Sequence, residues 1–224
     1  MADAAPLPVP RPGAAATAPE TPPPRRIDPM RLEATRLGAP RAVPRPQGEA
    51  ARGLCADHRL QGEILPEVEG PGRCGIPLPV RVDAVLGVKV SPPLTVNCRT
   101  ARAFAAWMER GPIRAARRDM GAELTEVTIS GTYACRTRNF RVGGLLSEHA
   151  AGNAVDLTAF TFADGRRAAL PQDWRRGAEG AFLLSAWRAA CGPFGTVLGP
   201  EHDQAHEDHF HFDTASRSRG PICR

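Results

Sequence analysis

Five of the six histidines in this chain, His149, His202, His206, His209 and His211, fall within its second half. Imidazole is the commonest side-chain metal ligand and titrates near neutral pH, so such a group points to metal binding or proton transfer. Density alone says little, because polar loops often carry several histidines. Strand geometry sharpens the reading. In Asp208-His209-Phe210-His211-Phe212-Asp213-Thr214, alternation puts His209, His211 and Asp213 on one face and the phenylalanines on the other. The phenylalanines suit a core, which leaves the histidines lining the opposite face. In Ala154-Val155-Asp156-Leu157, Asp156 takes one face and its two neighbours the other. If the two strands are neighbours, a carboxylate and imidazoles share one face, and these are donor types that hold zinc.

His149 sits seven residues before Asp156. Seven residues of straight helix would separate the side chains by ~10 Å, too far to share one ion, and a straight strand would be worse. The chain must bend between them, and Gly152-Asn153 supplies turn residues.

The elements that must position these residues are legible in outline. Asn97 caps a helix running to about Arg110, with Ala101, Phe104, Ala105 and Met108 at helical spacing and Gly111-Pro112 as its stop. A second helix is expected over Ile113–Met120. Residues 124–130 and 154–162 read as strands, and Asp164-Gly165 turns the chain so that 166–170 pairs back as a hairpin. A helix fits Ala178–Ala190, then a short strand near 194–199, then the last strand over 208–214. Residues 55–96, rich in Gly and Pro, read as irregular with one short strand. The whole is expected to be α+β, a mainly antiparallel sheet with flanking helices.

Residues 1–50 hold 12 of the 23 prolines, a low-complexity Pro/Ala/Arg tract that reads as a disordered, partly polyproline linker before a globular domain at 51–224. The formal charge is +5, with scattered arginines and no basic stripe beside aromatics, so nucleic acid is not an expected partner. A basic surface is still drawn to anionic polymers, cell walls among them. No apolar run is long enough to span a membrane. Six widely spaced cysteines, Cys55, Cys74, Cys98, Cys135, Cys191 and Cys223, without C-x-x-C, read as three disulfides in an oxidising compartment; 15 pairings remain open. Periplasmic or secreted localisation follows. The opening MADAAPLPVPRPG does not read as a signal peptide, so an exported chain would already have lost its signal.

Two segments carry a specific resemblance. Ser147-Glu148-His149-Ala150-Ala151-Gly152-Asn153-Ala154-Val155-Asp156 matches S-x-H-x-x-G-x-A-x-D, and is similar to the first zinc motif of the LAS metallopeptidases. These comprise D-Ala-D-Ala carboxypeptidases and dipeptidases and murein endopeptidases. His206-Glu207-Asp208-His209-Phe210-His211 resembles their second motif, closest to the endopeptidase form. Within that superfamily, the segment from about Cys74 to Cys223 resembles the bacterial extensin-like C-terminal domain, as do Tyr133-Ala134-Cys135-Arg136 and the Pro-rich tract.

The resemblance implies a LAS/hedgehog-like fold with zinc held by His149, Asp156 and His211, leaving one position open as in catalytic sites. It implies a base at His209 or Asp208. Strand alternation favours His209, which shares the ligand face. Arg136 matches an arginine that stabilises an oxyanion or binds a substrate carboxylate. Ser147 is expected to orient His149 or substrate, and His206 to hold a ligand or the base in its tautomer. The implied activity is a zinc peptidase acting as a monomer on peptidoglycan stem peptides or cross-links. The alternative is a zinc-stabilised wall-binding or structural module without turnover, since the hedgehog domain of the same superfamily works by binding. His58 and His202 read as surface or structural, Asp213 as fold or salt bridge, Arg138 and Arg141 as solvated. Trp107, Trp174 and Trp187 read as core or helix anchors.

Overall fold

The computed structural model describes residues 53–224; the linker expected over 1–50 lies outside the described residues. The chain runs β1 (Leu60–Ile64), β2 (Val68–Glu69), β3 (Gly75–Ile76), β4 (Pro79–Val85), β5 (Val88–Asn97), α1 (Cys98–Arg110) and α2 (Pro112–Ala115). It continues through β6 (Leu124–Gly131), β7 (Ala154–Phe162), β8 (Arg167–Ala169), α3 (Gly177–Ala190), β9 (Thr196–Leu198), β10 (Phe210–Asp213) and β11 (Ile222–Cys223). Most residues in regular structure belong to one sheet in the order β1-β4-β5-β6-β7-β10-β9-β11, with β8 also on β7. Pairing is antiparallel except at β5–β6 and β9–β11. The architecture is therefore mixed α/β, mainly sheet with few helices. Among the described residues, no helix is long and apolar enough to cross a membrane.

Residues 55–96 depart from expectation. They are ordered strands, with β4 and β5 forming a hairpin closed at Leu86-Gly87, where both residues take positive φ. The alternation is present: Val80, Val82, Val88, Val90, Leu94 and Val96 are all buried. Proline masked it, since Pro92 and Pro93 lack the N–H a ladder needs. They lie where the β4–β5 register shifts, between the pairs at Lys89 and Leu94, so no regular ladder position is lost. The helix expected over 113–120 is a short α turn, α2, followed by a π turn at Ala116–Met120. The strand expected over 208–214 begins at Phe210, so Asp208 and His209 stand just before it.

The core lies between the sheet and helices α1 and α3. Trp107 is fully buried, stacks edge-on against Phe160 and Phe212, and donates its indole N–H to the Ala186 carbonyl at 2.8 Å. That bond ties α1 to α3 through a large apolar side chain. Trp174 and Trp187 are half-buried and pack edge-on, with Trp174 also against Phe210. Three disulfides close the fold: Cys55–Cys98, Cys74–Cys135 and Cys191–Cys223.

Candidate functional site

β7 lies between β6 on one edge and β10 and β8 on the other. β10 pairs with its first half and β8 with its second. In that register His211 is the direct partner of Asp156. Phe210 and Phe212 are fully buried on the core side, which turns His211 to the opposite face. Across β7, Asp156 faces Gly131 of β6, where a Cβ would overlap its carboxylate. Gly131 is the residue that leaves Asp156 its place.

His149 reaches the same point from a 3-10 turn, Glu148–Ala151, that ends on Gly152 at φ +64°. The bend is clamped from both sides. The Asn97 side chain caps α1 by accepting from the Thr100 N–H, and its amide donates to the Ala151 carbonyl at 3.1 Å and to Asn153 Oδ1 at 2.7 Å. The Thr214 N–H, just after β10, donates to the Asn153 carbonyl at 2.9 Å. Ser147 is buried, and its hydroxyl accepts from the His149 N–H.

Three donor atoms converge. His149 Nε2 is 3.2 Å from both Asp156 Oδ1 and His211 Nδ1, and His211 Nδ1 is 2.8 Å from Asp156 Oδ1. Zinc–nitrogen and zinc–oxygen bonds in a tetrahedron set their donors about 3.3 Å apart, so the triangle has the dimensions of one face of a zinc site. Tautomers agree. His149 Nδ1 lies 2.6 Å from the Thr132 carbonyl, which can only accept, so that nitrogen carries the hydrogen. His211 Nε2 faces the Asp213 carboxylate at 3.5 Å, which favours the hydrogen there. The inward atoms are then all acceptors, and only a proton or a metal ion between them relieves their repulsion.

Protonation equilibria point the same way. Burial pushes the Asp156 carboxyl up, yet hydrogen bonds with His149 and His211 outweigh it and hold the group well below the usual carboxylate range. Burial pushes His211 down, but its bonds with Asp156 and Asp213 outweigh that and raise it to about 9. The environment favours positive charge between these groups.

The triangle opens into a cleft of about 540 Å³ that also holds Arg136, His202, Asp203, His206 and His209. His209 Nε2 stands 3.8 Å from Asp156 Oδ1. His209 Nδ1 donates to Asp208 Oδ1 at 2.8 Å, leaving Nε2 as the basic nitrogen. Asp208 is 69% exposed and reaches the centre only through His209. The guanidinium of Arg136 lies 4.7 Å from the Phe140 ring and donates to the Thr137 carbonyl. His206 Nδ1 donates to Asp203 Oδ1 at 2.5 Å, and its ring centre is 5.3 Å from that of His209 and 5.7 Å from that of His211. His58, away from this group, is exposed. Arg138 pairs with Glu148 at the surface.

Asp213, placed by alternation on the ligand face and read as a fold or salt-bridge residue, faces His211 and Arg217. Sequence reasoning missed three positioning groups. Asn97 was visible only as a helix cap. Gly131 and the Thr132 carbonyl had no signal, because one acts by lacking a side chain and the other through backbone.

No curated protein and no solved structure matches this chain. The family model described as extensin-like protein C-terminus matches residues 54–224, which takes in every group of the cleft. The chain belongs to the extensin-like protein C-terminus family.

Proposed function

We propose that this protein is a zinc-dependent peptidase acting on peptidoglycan stem peptides or cross-links, with a LAS-type site. One observation carries the reading: a triangle of His149, Asp156 and His211 donors, of zinc dimensions, opens to a cleft beside a histidine whose basic nitrogen faces it. When bound, zinc supplies Lewis-acid activation of water and of the scissile carbonyl. His209 Nε2 accepts the proton of the attacking water and returns it to the leaving amine. Asp208 holds the His209 tautomer and stabilises the imidazolium that forms. Arg136, in the same cleft, offers its guanidinium to the developing oxyanion or to a substrate carboxylate. Three disulfides support an oxidising compartment, and a periplasmic or secreted location fits a wall substrate.

One observation favours the second reading, a zinc-stabilised wall-binding module. Phe140, Val142 and Leu145 stand exposed on a loop at the cleft, the arrangement of a contact surface. Incubating zinc-loaded protein with purified sacculi and analysing released products by mass spectrometry separates the two. The peptidase reading expects free D-alanine, or cross-linked dimers converted to monomers, with release slowed by ~10²–10⁴-fold in His209→Ala. Tight zinc-dependent sedimentation with sacculi and no product from any murein preparation assigns the binding role instead.

A further inference from the structure

A second group of donors lies at the rim of the same cleft, on the loop between β9 and β10. His202, Asp203 and His206 each offer one ligand atom within 4.8 Å of the others. The two oxygens of Asp203 face different rings: Oδ1 meets His206 Nδ1 at 2.5 Å and Oδ2 lies 3.6 Å from His202 Nε2. The longer separation exceeds a hydrogen bond, so His202 Nε2 faces the carboxylate without being bound to it. The loop that carries them is fixed independently. The His202 N–H donates to the Gly199 carbonyl and the His206 N–H to the Asp203 carbonyl, each at 3.0 Å. Glu201 is drawn the other way, into a salt bridge with Arg175 at 2.5 Å and a bond from the Trp174 indole at 3.2 Å.

We propose that His202, Asp203 and His206 form a second, weaker transition-metal site at the rim, and that an ion held there inhibits turnover at the inner centre. Two imidazoles and a carboxylate suit zinc and its neighbours in the first transition row rather than magnesium or calcium. The ion takes the place of the hydrogen on His206 Nδ1, which moves to Nε2 of the same ring. The His202 and Asp203 side chains are 28% and 41% exposed, against 1% and 10% for His149 and Asp156, so solvent screens the rim donors more and makes the rim site weaker than the inner one. Inhibition follows from position, because the rings of His206 and His209 are 5.3 Å apart in the one cleft substrate would use. The inhibitory half rests on the peptidase reading; the metal-binding half does not.

Calorimetric titration of the metal-free full chain with zinc chloride tests the site. The wild type takes up zinc in two phases, a tighter and a weaker. His149→Ala loses the tighter phase and keeps the weaker. His202→Ala, and His202→Gln with its volume kept, lose the weaker phase and keep the tighter, which also shows that they fold. Excess zinc inhibits wild-type turnover with the midpoint of the weaker phase, and His202→Ala resists it. A single phase in the wild type at saturating zinc overturns the proposal, as does a second phase that survives His202→Ala with Asp203→Asn. A second phase without inhibition overturns the inhibitory half. Two phases in a wild type that releases no product from any murein preparation would defeat the peptidase reading while leaving the rim metal site standing.

Discussion

His211 and Asp156 are direct partners across β10 and β7, with Nδ1 of one 2.8 Å from Oδ1 of the other. Their meeting is fixed by the core behind them. A slip of one residue in this register would put Phe210 and Phe212, both fully buried, on the cleft face and His211 in the core. The apolar faces of the two strands thus specify the ligand pair, and only His149 depends on loop geometry.

Removing space is expected to be as damaging as removing a ligand. Gly131→Ala keeps all three donors but drives a Cβ into the Asp156 carboxylate. It should weaken zinc binding by ~10–100-fold, the scale of lost support around a metal site. His149→Ala, Asp156→Ala and His211→Ala should each abolish tight binding. Zinc content after dialysis against a weak chelator checks both. Stoichiometric zinc in all three ligand variants would falsify the site.

How much of this was legible follows from the physics of each element. The ligand strands were readable because one face is apolar and the other carries chemistry, as Val155, Asp156 and Leu157 show. The bend at Gly152 was readable because three ligands must converge. The β4–β5 hairpin was not, since Pro92 and Pro93 argue against a strand and only the sheet register reveals the irregularity that absorbs them. β11 was also missed: Ile222 and Cys223 are two residues, too few for a periodic signal, held by the parallel ladder to β9 and the bond to Cys191. The disulfide pairing needed coordinates, because six cysteines carry no partner information in their order.

The Cys74–Cys135 bond is expected to matter for the site as well as for stability. It joins the segment holding β3 to the residue before Arg136. Ile76 of β3 packs where a side chain on Gly152 would stand, directly against the bend below His149. Closing a separation of 61 residues stabilises by about 4 kcal/mol in the chain-entropy model. Replacing both cysteines by alanine should lower the melting temperature and also weaken zinc binding. The same change at Cys191 and Cys223 should lower melting with less effect on zinc. Peptide mapping without reductant, on protein made in an oxidising compartment, should recover all three pairs and almost no free thiol. Six free thiols there would remove the support for an exported protein.

Acid stability should depend on Asp57. The Arg59 side chain binds both its oxygens and continues to Glu109 of α1 at 2.6 Å, tying the start of the domain to that helix. The Arg59 bond holds the Asp57 carboxyl below its ordinary value of 3.8, against the opposing effect of burial. A depressed carboxyl contributes stability above its unfolded pKa and loses it as pH falls through the folded one. Asp57→Asn should therefore cost ~1–3 kcal/mol at pH 7, the scale of a charged hydrogen bond. The gap to wild type should shrink below pH 3.8. Denaturant melts at stepped pH measure it, and a gap that stays constant into strong acid would reject the assignment.

His209 is expected to separate chemistry from metal binding. Its Nε2 lies 3.8 Å from Asp156 Oδ1, beside the donor triangle without belonging to it. His209→Ala should therefore keep its zinc and its melting temperature. Turnover of a peptidoglycan substrate should still drop by ~10²–10⁴, the range for a lost general base or acid. Asp208 contacts the centre only through His209 Nδ1, so Asp208→Asn should cost less and should shift the acid limb of the pH profile of kcat/KM. That shift is the signature of a residue acting on the imidazole, and a purely structural role for Asp208 would leave the limb in place. If Asp208→Asn loses more than His209→Ala on samples matched for zinc, the carboxylate is the base and the histidine its support.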